Sequence, residues 1–189
     1  MKKIMSLDIE IPKPDQMEEE TRNYFDLCKE KIGFIPNVLQ AYAFDEEMLR
    51  AFSNFYNKLM LGESGLSKLE REMIAAVVSS INHCFYCMVA HGQAVRELSG
   101  DPEFGERLIS NFRSAKLSQR HRAMLDFSTL MTEHPELVDE TSRDRLRNVG
   151  FTERDIWDVV HVTSFFNMTN RVAGGVGMEP NREYHNLDR

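Results

Sequence analysis

The sequence predicts an all-α, compact, multi-helix domain. Three observations carry this. Apolar residues recur with helical spacing from about residue 15 onward, no segment alternates as a half-buried strand does, and cap residues punctuate the chain at helix-length intervals. The 189 residues fit one domain, 1–189, with its core over about 30–178.

The elements follow in order. Pro14-Asp15 opens a first helix that stops at Gly33, a natural C-terminal cap. The turn Phe34-Ile35-Pro36-Asn37 leads into a short helix over 38–43. Asp45 is an N-cap for a helix to about Leu61, whose apolar positions Met48, Leu49, Phe52, Phe55, Tyr56 and Leu59 lie on one face. Gly62 to Gly65 is a loop. Ser67 and Glu70 form a capping box for the next helix. Asp101-Pro102 starts another, with proline at the first helical position. An amphipathic helix over 118–133 ends before Pro135. A short helix over 141–148 reaches Gly150, and a long one starts at Thr152 and runs to about Ala173, ended by Gly174, Gly175 and Gly177. Eight or so helices and no sheet are expected. A possible internal helical repeat aligns residues 65–87 with 150–172 at a constant offset, placing Asn82 on Asn167 and Trp157 on Glu72.

Composition narrows the function. The net charge is -7 and no basic run tracks phosphates, which argues against a nucleic-acid partner. The charges Asp8 and Glu10 interrupt the start before an apolar signal region develops, and no stretch approaches the roughly 18 apolar residues of a membrane span. A soluble, cytoplasmic protein is expected. Three cysteines, an odd number, do not make a secreted disulfide framework. Cys28, on an apolar helix face, reads as an ordinary buried thiol.

The chemistry lies in Cys84-Phe85-Tyr86-Cys87 and His91, with Glu72 upstream. On a helix, Cys84, Cys87 and His91 at i, i+3 and i+7 share one face. On one unbroken helix Glu72 would stand about 18 Å from Cys84, beyond any proton relay. Residues 79–83, Ser-Ser-Ile-Asn-His, compete for backbone hydrogen bonds and predict a break. Two antiparallel helices would then bring Glu72 toward Cys87 and His91. The break would also set Cys84 at a helix N-terminus, where free N–H groups and the dipole favour a thiolate. His91, polarised by Glu72, could take a proton from Cys87. Three readings of the cysteines stay open on spacing alone: thiol redox chemistry, a zinc site using Cys84, Cys87, His91 and His83 or Glu72, and inert thiols.

The Glu72, Cys84-x-x-Cys87-x-x-x-His91 pattern resembles that of the alkylhydroperoxidase D family, within the carboxymuconolactone decarboxylase superfamily. The segments 33–37 and 165–171 are similar to its peroxidase-related branch. The resemblance implies an all-helical fold assembling as a homotrimer or homohexamer. It implies a peroxidase acting on a hydroperoxide, with Cys87 attacking, Cys84 resolving, Glu72 and His91 relaying protons, and no cofactor. A thiol or lipoyl-type reductant would reopen the disulfide. One departure is Tyr86, which stands where the best-known members have histidine and which is a poor base at neutral pH. The decarboxylase branch lacks the cysteine pair. Tyr86, His83, Asn82, Asn167 and Arg171 are candidates around the site. His161 and Arg171 are too far apart along one helix to share a small pocket. Trp157, Phe165 and Phe166 are expected in the core or an interface.

Overall fold

The structure is a computed structural model that describes residues 3–189. Its regular elements are helical, and no strand occurs among the described residues. The helices are α1 (Glu19–Ile32), α2 (Asn37–Tyr42), α3 (Glu46–Tyr56), α4 (Lys68–Ile81), α5 (Phe85–Ser99), α6 (Pro102–Asn111), α7 (Gln119–Glu133), α8 (Glu140–Arg147) and α9 (Glu153–Gly175).

Two boundaries differ from the sequence expectation. Pro14–Gln16 makes only a 3₁₀ turn, and α1 starts later. Met17 is the reason: it turns extended to bury its side chain, ending the turn. The helix expected through Leu61 changes character at Tyr56, after which residues Asn57–Leu61 widen into a π-helical turn.

The centre of the fold is α4. Every residue from Glu70 to Ser79 is buried, so this helix has no solvent face. It packs against α5, α6, α7 and α9. A helix buried all round must settle its charges locally. Glu70 accepts from Ser67 N–H at 2.8 Å and from Arg120 Nε at 2.8 Å. Arg71 donates to the carbonyls of Leu59 and Gly62. The loop before α4 lies tight against α9. A Cβ at Gly65 would come within 1.9 Å of Asp155 Oδ1.

The main core combines α4 with Leu108, Phe112, Met124, Leu125, Leu146, Val159, Val162 and Phe166. A smaller cluster under α1–α3 holds Met17, Phe25, Leu39, Ala43 and Leu49. A third gathers Met5, Ala41, Ala173 and Met178 around Cys84 and Cys87. The chain ends clip together there: Ser6 N–H donates to Val176 O and Glu179 N–H to Ile4 O.

Candidate active site

The site is built on the corner between α4 and α5. Asn82 ends α4, His83 takes a left-handed conformation (φ 54°), and Cys84 is the N-cap of α5. Cys84 N–H donates to Ser79 O and His83 N–H to Ser80 O. This pair of bonds is a Schellman cap, with histidine where glycine is usual. One residue, Cys84, thus closes one helix and opens the next. The connection is short enough that α4 and α5 run back along each other.

The fold-back brings Glu72 to His91. Their Oε2 and Nδ1 atoms are 2.7 Å apart, and both side chains are largely buried. In the tautomer where Nδ1 donates to the carboxylate, Nε2 is the nitrogen left to accept a proton. Phe166 meets the imidazole edge-on at 4.5 Å and holds its plane.

Cys84 and Cys87 are reduced, and each is 4% exposed. The Cys87 thiol hydrogen-bonds to Cys84, and the N–H groups of Cys87 and Tyr86 point toward the same sulfur. The Cys84 side chain makes no conventional oxygen-type cap. Even so, these donors outweigh burial, aided by the nearby His91, and lower the Cys84 thiol to about 7. Cys87 is pushed up, chiefly because its proton serves Cys84 and then because it is buried. The resting dithiol therefore loses one proton readily and shares the other between the sulfurs.

Two residues that the sequence pattern does not single out touch Cys87. Ser79 and Asn170 both favour its thiolate by hydrogen bonding. Asn82 Nδ2 donates to Asn170 Oδ1, and Asn170 Nδ2 donates to Ser79 Oγ, each at 3.0 Å. The donors line up toward the sulfur. The signal for Asn170 was its place near Asn167 on a helix rich in polar residues.

The other candidates lie apart from the sulfurs in varying degree. Asn82 also donates to Asn167 Oδ1 at 3.0 Å, and Asn167 Nδ2 reaches Thr132 of α7. Arg171 is exposed and bonds to Asn167. His83 is exposed and shapes the corner. His161 lies against Trp157 on the outer face of α9. Trp157 itself is 59% exposed, so it is no part of this chain's core. Among the described residues, no three His, Cys, Asp or Glu side chains are grouped to hold a metal ion.

A cavity of about 740 Å³ adjoins the site. Glu72, Tyr86, Cys87, His91, Phe165 and Phe166 line it, but Cys84 does not. Cys28 lines it too and is only half-buried, which departs from the buried thiol expected. Leu27, Ile32, Leu61 and Leu98, all exposed, give the cavity an apolar rim. The arrangement offers one buried nucleophile facing a cavity, a second sulfur behind it, and a carboxylate–imidazole pair beside it. Such a set can open a bond at Cys87 and close a disulfide with Cys84.

Known proteins share this architecture. Residues 46–109 match the model of the carboxymuconolactone decarboxylase family. An uncharacterized peroxidase-related protein from Silicibacter sp. TM1040 is 57% identical, covering 100% of this chain and 97% of that one, with a TM-score of 0.96. A protein from Ralstonia eutropha JMP134, described as an alkylhydroperoxidase AhpD core and uncharacterized peroxidase-related protein, is 35% identical. That match covers 100% of this chain and 98% of the other, with a TM-score of 0.95. The debrominase Bmp8, in complex with 2,3,4-tribromopyrrole, shares the fold at 15% identity and a TM-score of 0.77, covering 96% and 93%. No curated protein sequence matches the chain. No helix among the described residues is long and apolar enough to cross a membrane.

Proposed function

This chain belongs to the alkylhydroperoxidase D-like, peroxidase-related branch of the carboxymuconolactone decarboxylase superfamily, and on that footing we infer that it is a cysteine-based hydroperoxidase. The observation that carries this reading is the position of Cys87, which faces the cavity beside the Glu72–His91 pair with Cys84 in hydrogen-bond reach behind it.

The cycle begins when Cys87 gives its proton to Cys84 or, through Nε2, to His91. The Cys87 thiolate attacks the terminal oxygen of R–O–O–H. A sulfur–oxygen bond forms, the oxygen–oxygen bond breaks, and the alcohol leaves with one proton. The enzyme holds a sulfenic acid at Cys87. The Cys84 thiolate then attacks the Cys87 sulfur and expels hydroxide, which takes a proton and departs as water. The peroxide has gained two electrons and the dithiol has become a disulfide. An external dithiol, of simple thiol or lipoyl type, reduces it by exchange.

Glu72 orients His91 and supports its positive form during each transfer. Tyr86 takes no proton in this scheme, because its hydroxyl already accepts Val38 N–H at 3.1 Å. Ser79 and Asn170 stabilise the Cys87 thiolate while it exists. A zinc-held assembly would need Glu72 or His83 beside the sulfurs, whereas Glu72 pairs with His91 and His83 faces solvent. A reducing, cytoplasmic setting suits a resting dithiol.

Assembly as a homotrimer or homohexamer belongs to the same reading. It is supported by an outward stripe on α9, Trp157, His161, Met168 and Val172, which follows helical spacing and leaves large apolar surface uncovered.

The test is a coupled assay of thiol-dependent consumption of an organic hydroperoxide. Cys87→Ser is expected to abolish turnover. Normal turnover by that variant would remove the mechanism.

A further inference from the structure

All five tyrosines of the chain, Tyr24, Tyr42, Tyr56, Tyr86 and Tyr184, line the one cavity beside Cys87. Their rings build apolar wall, and the destinations of their hydroxyl protons divide them. The Tyr42 ring stacks on Phe52 at 4.7 Å. Tyr86 oxygen accepts the Val38 N–H, and the Tyr86 and Tyr184 hydroxyls hydrogen-bond to each other. The pair shares one hydrogen bond between two hydroxyl protons, so one proton is left over, and Tyr184 is the member with no further hydroxyl contact. No acceptor for that proton occurs among the described residues, and the Tyr56 hydroxyl likewise has no hydrogen-bond partner there.

Both unspent donors are firmly placed. Tyr184 rides on the 3₁₀ turn Arg182–His185. Its ring meets Phe34 edge-on at 4.9 Å. Its carbonyl accepts from Arg96 Nη2 at 3.0 Å, and Arg96 is buried. Tyr56 is the last residue of α3, where the backbone widens into the π turn. Such turns are poor helix geometry and recur at functional sites. Burial first, and then the negative charge of Glu72, push both phenols up, so both stay protonated donors.

We propose that Tyr56 and Tyr184 are catalytic hydrogen-bond donors that take the leaving oxygen of an organic hydroperoxide, bound with its carbon chain toward the apolar rim. The proposal rests on the peroxidase reading and adds its leaving-group site. When Cys87 sulfur bonds to the terminal oxygen and the oxygen–oxygen bond breaks, the remaining fragment is an alkoxide. Unprotonated alkoxide is a poor leaving group. Two preplaced phenols would stabilise that charge as it forms, and the proton given up by Cys87 then reaches it from His91 Nε2 or Cys84, yielding the alcohol.

A peracid separates this role from a structural one. Its leaving group is a carboxylate, which departs without a donor. Wild type, Tyr56→Phe and Tyr184→Phe would each be mixed with tert-butyl hydroperoxide and, separately, with peracetic acid. The rate constant for forming the Cys84–Cys87 disulfide is read by acid quench and peptide mass mapping, so no reductant is needed. Phenylalanine keeps each ring and its packing. The alkyl hydroperoxide rate relative to the peracid rate should fall on the order of 10²-fold in each variant. Equal slowing with both oxidants, or no slowing, would overturn the donor role. A wild type that forms no disulfide with either oxidant would overturn the peroxidase reading itself.

Discussion

Replacing Cys87 by alanine isolates the cause of the unusual Cys84 thiol. The largest influence lowering it to about 7 from an ordinary 9.0 is the hydrogen bond from Cys87, with the Cys87 and Tyr86 N–H groups and His91 contributing less. Two pH units are a 100-fold change in the ionisation constant. A midpoint of about 7 would leave about half of the thiol ionised at pH 7, whereas a thiol at 9.0 is ionised to about 1%. Alanine removes the S–H donor and leaves the backbone donors. The midpoint should therefore rise toward the ordinary 9.0, leaving a smaller share of the sites ionised at pH 7. Serine keeps an O–H donor in the same place and should hold the midpoint closer to wild type. The assay is thiolate absorbance at 240 nm across pH 5–10, with Cys84→Ser as the blank. A midpoint unmoved in Cys87→Ala would refute the claim that one sulfur's proton ionises the other. So would a wild type with no thiolate until about pH 9.

Two further variants test named features of the structure. Asn170→Ala removes the acceptor of Asn82 and the donor to Ser79 at a position 3% exposed, so it should cost about 1–3 kcal/mol, read as a lower melting temperature. The same variant should also slow disulfide formation, because Asn170 hydrogen-bonds to Cys87. Trp157→Glu places a charge in the exposed apolar stripe of α9. On the proposed assembly, light scattering should then report a smaller particle than wild type, and an unchanged mass would place the interface elsewhere.

How much of this was legible in the sequence depends on the range of the interaction. Helix existence followed from period and caps. The Ser67–Glu70 box and Thr152 cap are local signals, and the structure has both. The break before Cys84 was expected from Ser79, Ser80 and Asn82 competing for the backbone. The structure makes it instead with a Schellman cap on left-handed His83, a conformation that a histidine does not advertise. The approach of Glu72 to His91 was readable because it needs only two helices and one turn. Tyr184 was not, because its place depends on the C-terminal segment lying over α5, held through Arg96 and Asn181. The π turn after Tyr56 was equally hidden, since residues 45–61 carry an unbroken helical pattern. Trp157 shows the opposite limit: helical spacing admits core or interface, and only the fold shows which face the residue occupies.

The central claim is that Cys84 and Cys87 form a working redox pair and Cys28 does not. Counting thiols on the denatured protein before and after one equivalent of an organic hydroperoxide tests it directly. The account predicts three thiols falling to one per chain, with the remaining thiol mapped to Cys28 and the lost pair recovered by a dithiol reductant. Retention of all three thiols, or a disulfide that includes Cys28, would contradict it.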